Sequence, residues 1–178
     1  EDTDLSPSTP YAFSKVAASQ LLEMLAKTEG FPSVNVRLFL AYGPGQLANR
    51  IIPQLVTNCL NKEPTTISSP DLIRDFCYIT DVIEGIYACL ISGNCHGHSI
   101  NIASGKPISI QRLAEMVVEI CGGGSLNVDI DLARPNESKE LFADISKAKN
   151  LVGWAPEVCL KAGLEQVIRS MKGNLDAP

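Results

Sequence analysis

Short β-rich apolar runs alternate with capped helical runs along the whole of this chain, and that alternation restricts it to an α/β fold. Thr9 can cap a helix over 10–29, Pro10 suits its first turn and Gly30 can end it. Residues 34–40 are mostly apolar and β-rich, like a buried strand, and the turn Tyr42-Gly43-Pro44-Gly45 closes them. Ile51, Ile52, Leu55, Val56, Cys59 and Leu60 repeat at helical spacing, with Pro53 tolerable in a first turn. Short strands are expected near 65–68 and 76–79, and Asp81 is expected to cap an apolar helix over 82–91. A strand over 99–103 leads to a helix capped by Ser109, with Leu113, Met116, Val117 and Ile120 inward and Gly122-Gly123-Gly124 as its stop. Val128, Ile130 and Leu132 alternate with polar residues as in a half-buried strand. Asp144 is expected to cap a helix that Gly153 ends, and 160–171 reads as a last amphipathic helix.

Composition removes several classes of function. The 178 residues are 45% hydrophobic and 20% charged, which fits one globular domain with a real core. Net charge is −5 with the basic residues scattered, so neither a nucleic-acid partner nor an anionic membrane is expected. No apolar run approaches the ~20 residues that cross a bilayer. Six cysteines without a Cys-x-x-Cys pair suggest buried thiols in a reduced, cytoplasmic protein. With two histidines in a Gly-rich loop, no metal centre is expected. The chain opens at Glu1, in a polar loop, and reads as a piece of something longer.

Tyr11 and Lys15 stand four residues apart, so a helix places phenol and ammonium on one face. A fixed cation beside a phenol favours the phenolate, which is one route to a proton-transfer tyrosine at neutral pH. A half-exposed tyrosine beside a solvated lysine explains the same spacing.

Ordered segments extend the reading over nearly the whole chain: Pro10-Tyr11-Ala12-Phe13-Ser14-Lys15, then Arg37-Leu38-Phe39 with Tyr42-Gly43-Pro44-Gly45-Gln46, then Arg50-Ile51-Ile52-Pro53. Arg74-Asp75-Phe76-Cys77-Tyr78-Ile79-Thr80-Asp81-Val82 and Asn101-Ile102-Ala103-Ser104-Gly105 follow. Arg134-Pro135 with Ala143-Asp144-Ile145-Ser146-Lys147-Ala148 and Gly153-Trp154 complete them. Together they resemble the extended short-chain dehydrogenase/reductase family, in its epimerase/dehydratase branch that acts on nucleotide-linked sugars, and specifically its C-terminal portion.

That resemblance implies the C-terminal part of a doubly wound, Rossmann-like parallel sheet plus a small α/β substrate-binding lobe. Residues 1–45 would be the tail of the dinucleotide-binding domain. Residues 46–178 would be mainly the substrate lobe, with elements about 74–104 returning to the sheet. It implies Tyr11 as the proton-transfer residue, Lys15 as its partner on the nicotinamide ribose, and Ala41 beside the cofactor. Arg50, Arg74 and Arg134 would touch a nucleoside-diphosphate sugar, the two last through the diphosphate, as bidentate guanidiniums can. Leu40 departs from the pattern, because many relatives carry an asparagine there that bonds the substrate, and Ser19 sits where glutamate is frequent. Asp81, Asn101, Asp144 and Trp154 read as structural. The cofactor would be NAD or NADP, with its glycine-rich phosphate motif absent from this chain. Gly43-Pro44-Gly45-Gln46-Leu47-Ala48 spells G-x-G-x-x-A but is rejected as that motif, since Pro44 lacks an amide N–H.

The expectation is therefore part of an NAD(P)-dependent nucleotide-sugar epimerase, dehydratase or reductase, weakly active by itself, forming a homodimer or higher oligomer. Tyr11, Lys15, Arg74 and Arg134 are expected to share one cleft. The alternative is a non-catalytic relative that binds nucleotides or a protein partner, and a plain scaffold is the third reading.

Overall fold

Strand β4 (Ile73–Tyr78) divides the molecule, because its side chains alternate between two hydrophobic cores. The computed structural model describes residues 6–7, 9–130 and 137–175. Phe76 and Tyr78 face one core; Cys77, between them, faces the other. The first core is built by helices α2 (Ile51–Asn61), α4 (Ile110–Cys121) and α6 (Leu160–Leu175). Their inward residues Leu55, Val56, Leu113, Val117, Leu164 and Val167 are buried at helical spacing. The second core joins β1 (Asn35–Leu38) and β5 (Ser99–Ile102) to α3 (Ile79–Ile91) and α5 (Ser146–Val152) through Val82, Cys89, Ile100, Ile102, Ala148 and Trp154.

Pairing is mostly parallel, as βα alternation requires. β1 pairs with β5, β2 (Leu40–Tyr42) with β4, and β3 (Pro64–Ile67) with β7 (Ser125–Val128), all parallel. The start of β4 takes an antiparallel neighbour, β6 (Pro107–Ser109), and a parallel one, β8 (Glu140–Leu141). The run 34–40 is thus two strands: at Phe39, whose N–H reaches Ile102 O at 3.2 Å, the chain leaves β5 and joins β4.

α1 (Pro10–Glu29) has the expected ends: Thr9 Oγ1 accepts from Ala12 N at 3.1 Å, and Gly30 is left-handed at φ 64°. It buries none of its residues and leaves Tyr11, Phe13, Leu21 and Met24 exposed. Two capping expectations are corrected. α3 starts two residues before Asp81, which is buried in the first turn and accepts from Val158 N at 3.0 Å. Asp144 sits one residue before the N-cap position of α5 and accepts from Ser146 N at 2.7 Å, which holds its carboxyl below the usual range. Val128, at the end of β7, and Ile130, two residues beyond that strand, are exposed rather than half-buried; Leu132 lies outside the described residues. β6, β8 and the 3-10 turn Gly93–Cys95 were not anticipated by the periodicity.

Candidate functional site

A cleft of about 800 Å³ lies over the C-terminal ends of β2 and β3, with α2 along one side and β4 at its floor. Helix geometry makes this wall two-faced. Ile52, Val56 and Cys59 turn into the core, while Arg50, Gln54 and Asn58 recur every four residues and present a polar stripe to the cleft. α2 begins without a side-chain cap and without an acidic residue in its first turn, and its Ile51 and Ile52 line the cleft, so a positive helix end faces the space.

Arg74 is the buried charge of this site. Its side chain is 7% exposed; Nη1 donates to Ile73 O at 2.8 Å and Lys139 O at 3.4 Å, and Nη2 donates to Glu137 Oε1 at 2.8 Å. Its partner is thus Glu137 and not the adjacent Asp75, because successive strand residues face opposite sides. Asp75 points away and is fully buried, accepting from Ser104 Oγ (2.6 Å), Ser104 N (2.8 Å), Gly105 N (2.9 Å) and Ala143 N (3.3 Å). That carboxylate ties the segment after Glu137 to the β5–β6 turn and fixes the strand that aims Arg74.

Of the residues singled out in the sequence, Leu40, Ala41, Arg50 and Arg74 come together around this cleft. Tyr11 and Lys15 are not among its lining residues. Both sit on the exposed first turns of α1, with Lys15 Nζ 5.4 Å from the centre of the Tyr11 ring, over its face. Arg134 lies outside the described residues. Leu40 is part-exposed and offers the cleft an apolar surface where an amide would hydrogen-bond.

Several lining residues escaped the sequence reading: Gln46, Gln54, Asn58, Thr65 and Glu137. The four-residue spacing of Arg50, Gln54 and Asn58 was a usable signal; Glu137, close to Arg74 only through the pairing of β8 with β4, left none. Thr65 Oγ1, buried, has no hydrogen-bond partner among the described residues. Tyr42 also lines the cleft, but its hydroxyl already donates to Leu160 O at 3.3 Å and burial pushes its phenol above the ordinary range.

The turn at 43–45 does not open a helix: five residues separate Gly45 from α2, and Gln46 Nε2 caps Ala41 O at 2.8 Å instead. A dinucleotide pyrophosphate would find no helix N-terminus directly after these glycines, in agreement with the missing N–H of Pro44. Among the described residues no group of three or more His, Cys, Asp or Glu could hold a metal ion, and no helix is long and apolar enough to cross a membrane.

Comparison with known proteins matches residues 1–167 to the family described as GDP-mannose 4,6 dehydratase. An uncharacterized UDP-glucose epimerase of Bacillus subtilis, YtcB, is 33% identical over 94% of this chain and 53% of its own length. The UDP-glucuronate 4-epimerase of Thermodesulfobacterium geofontis is 30% identical over 96% of this chain and 53% of its own. Among solved structures, the UDP-glucuronic acid 4-epimerase of Bacillus cereus, in complex with UDP-glucuronic acid and NAD, superposes with a TM-score of 0.86 at 33% identity, over 98% of this chain and 56% of that one. RMD from Pseudomonas aeruginosa, complexed with NADPH, gives 0.87 at 25% identity, over 98% and 60%. The chain spans about half the length of these relatives, and their fold is the Rossmann-like one expected. The chain belongs to the GDP-mannose 4,6 dehydratase family, within the nucleotide-sugar epimerase/dehydratase branch of the extended short-chain dehydrogenase/reductases.

Proposed function

We propose that this chain provides the nucleotide-sugar site of an NAD(P)-dependent epimerase, dehydratase or reductase, with the cleft under α2 receiving the nucleoside-diphosphate part of the substrate. The observation that carries this reading is Arg74, a guanidinium almost wholly withdrawn from water at the floor of a cleft that also holds Arg50 and the uncapped end of α2. Such a cation suits a diphosphate, which it binds with fixed geometry and permanent charge. Arg134 is proposed to add a second guanidinium. Leu40 would face the sugar as an apolar surface.

NAD or NADP would supply hydride exchange with the sugar carbon. Among the described residues the glycine turn at 43–45 does not fit its pyrophosphate, so its main cradle is proposed to come from outside this chain. The residues proposed for its reactive end are few: Ala41, small and in the middle of β2; Tyr11, to exchange a proton with a sugar hydroxyl or keto oxygen; and Lys15, to hold that phenol and the ribose. Residues 1–45 are accordingly read as the tail of the cofactor domain and 46–178 mainly as the substrate lobe. The chain is proposed to work in the cytoplasm with reduced thiols, to assemble as a homodimer or higher oligomer through exposed apolar helix faces, and to turn over weakly by itself. A thermal-shift series with UDP-, dTDP-, CDP- and GDP-sugars tests the site: stabilisation by at least one supports it, and stabilisation by none overturns it.

A second reading has its own support. Tyr11 is 72% exposed and stands apart from the cleft lining, as a residue without a catalytic task would. A non-catalytic nucleotide-binding or interaction module predicts nucleotide binding lost on Arg74→Ala and untouched by Tyr11→Phe. Loss of a measured NAD-dependent conversion in Tyr11→Phe decides for the enzyme.

A further inference from the structure

We propose that Glu137 is an internal competitor for the anion site that Arg74 offers, so that a nucleoside diphosphate binds by exchanging with this carboxylate. The inference rests on the reading of the cleft as a nucleotide-sugar site and concerns how that site is emptied and filled.

The two members of the pair are unequally buried: the Arg74 side chain is 7% exposed and the Glu137 side chain 38%. A guanidinium held that far from water needs an anion beside it, whereas a carboxylate at this exposure regains water readily when it leaves. The contacts are also divided by nitrogen. Nη1 is turned to the carbonyls of Ile73 and Lys139, and Nη2 carries the carboxylate at 2.8 Å. The carbonyl contacts hold the guanidinium in place while the anion at Nη2 changes, so the cation is prearranged for its next partner.

Both residues line the cleft, so a phosphate that reaches Nη2 arrives where the Glu137 oxygen already sits. Two anions on one N–H edge repel, and the carboxylate, being the more solvated, is the one that yields. A ligand without a phosphate cannot replace the ion pair it would break. Glu137 therefore lowers the affinity for phosphorylated ligands, while a nucleoside, which leaves the ion pair in place, binds equally well with or without the carboxylate.

The test is calorimetric titration of UDP and GDP into the whole chain and into Glu137→Gln, with uridine and guanosine as phosphate-free controls. The glutamine keeps the size and a neutral hydrogen bond to Nη2 but carries no charge. The expected result is binding of the diphosphate about 3- to 10-fold tighter in Glu137→Gln, with nucleoside binding unchanged. Glu137→Ala shifts affinity the same way, and cooperative thermal unfolding of each variant establishes that it is folded. Equal or weaker diphosphate binding by folded Glu137→Gln and Glu137→Ala, with the unsubstituted chain still binding, overturns the competitor and leaves the cleft reading intact. Binding of neither diphosphate by any of the proteins overturns the cleft reading and this inference with it.

Discussion

Asp75, in β4 and without exposure to solvent, accepts a 2.6 Å hydrogen bond from the hydroxyl of Ser104 in the β5–β6 turn. The same carboxylate takes the N–H groups of Ser104, Gly105 and Ala143, so one side chain closes three pieces of chain around the back of the site. Replacing it with alanine removes the acceptor of three N–H groups and one hydroxyl, one of them the buried N–H of Ala143. Asp75→Ala is expected to cost about 3–5 kcal/mol, and Asp75→Asn about 1–3 kcal/mol because only part of the accepting capacity is lost. Urea unfolding at pH 7 measures both, and a loss under about 0.5 kcal/mol for the alanine variant would contradict the clamp.

Asp75 also marks where the sequence stops being informative. The helices were legible from local chemistry: Thr9 and Gly30 bound α1, and Ser109 and Gly122 bound α4, each through contacts within a few residues. The break at Phe39 was not, because 34–40 is continuously apolar and nothing local announces a change of strand partner from β5 to β4. Asp81 has the composition of a cap and serves another purpose, since its partner Val158 N is remote in sequence. In the candidate site, Leu40, Ala41, Arg50 and Arg74, singled out by their motifs, line one cleft, whereas Tyr11 and Lys15, expected to share it, are not among its lining residues. The pairing of Arg74 with Glu137 depends on β8 lying beside β4, a tertiary fact without a local trace.

Gly163 is the point where α6 touches the aromatic pair Tyr42 and Tyr78, whose rings are 5.4 Å apart and nearly edge-on. A methyl group there would overlap the Tyr42 hydroxyl and come within 2.9 Å of Tyr78. Helix propensity alone favours alanine by up to about 1 kcal/mol, but rigid aromatic neighbours make overpacking the larger effect. Gly163→Ala is expected to destabilise by about 1–3 kcal/mol in chemical denaturation, and a gain in stability would show that α6 can shift without loss.

The thiols predict an alkaline limit. Burial raises Cys89 and Cys121 to about 11 and Cys77 to about 12, from an ordinary value of 9.0. The native state therefore keeps protons that the unfolded chain releases first. This contribution is complete below about pH 9 and is lost as pH rises from there toward 12. Thermal midpoints are expected to fall across that window, less steeply in Cys77→Ala measured against its own value at pH 8. In the native state at pH 8, alkylation followed by mass spectrometry is expected to label exposed Cys159 first and to reach buried Cys77 and Cys89 only on unfolding. Equal labelling rates would contradict the packing of the second core.

The central claim is that a buried guanidinium receives a diphosphate, and calorimetric titration of nucleotide sugars, beginning with UDP-glucose, into the whole chain and into Arg74→Lys and Arg74→Gln tests it most directly. The account predicts saturable binding of one of them, weakened roughly 10- to 100-fold in Arg74→Gln and less in Arg74→Lys, which keeps charge but not the fork. Undiminished affinity in a folded Arg74→Gln protein would contradict it.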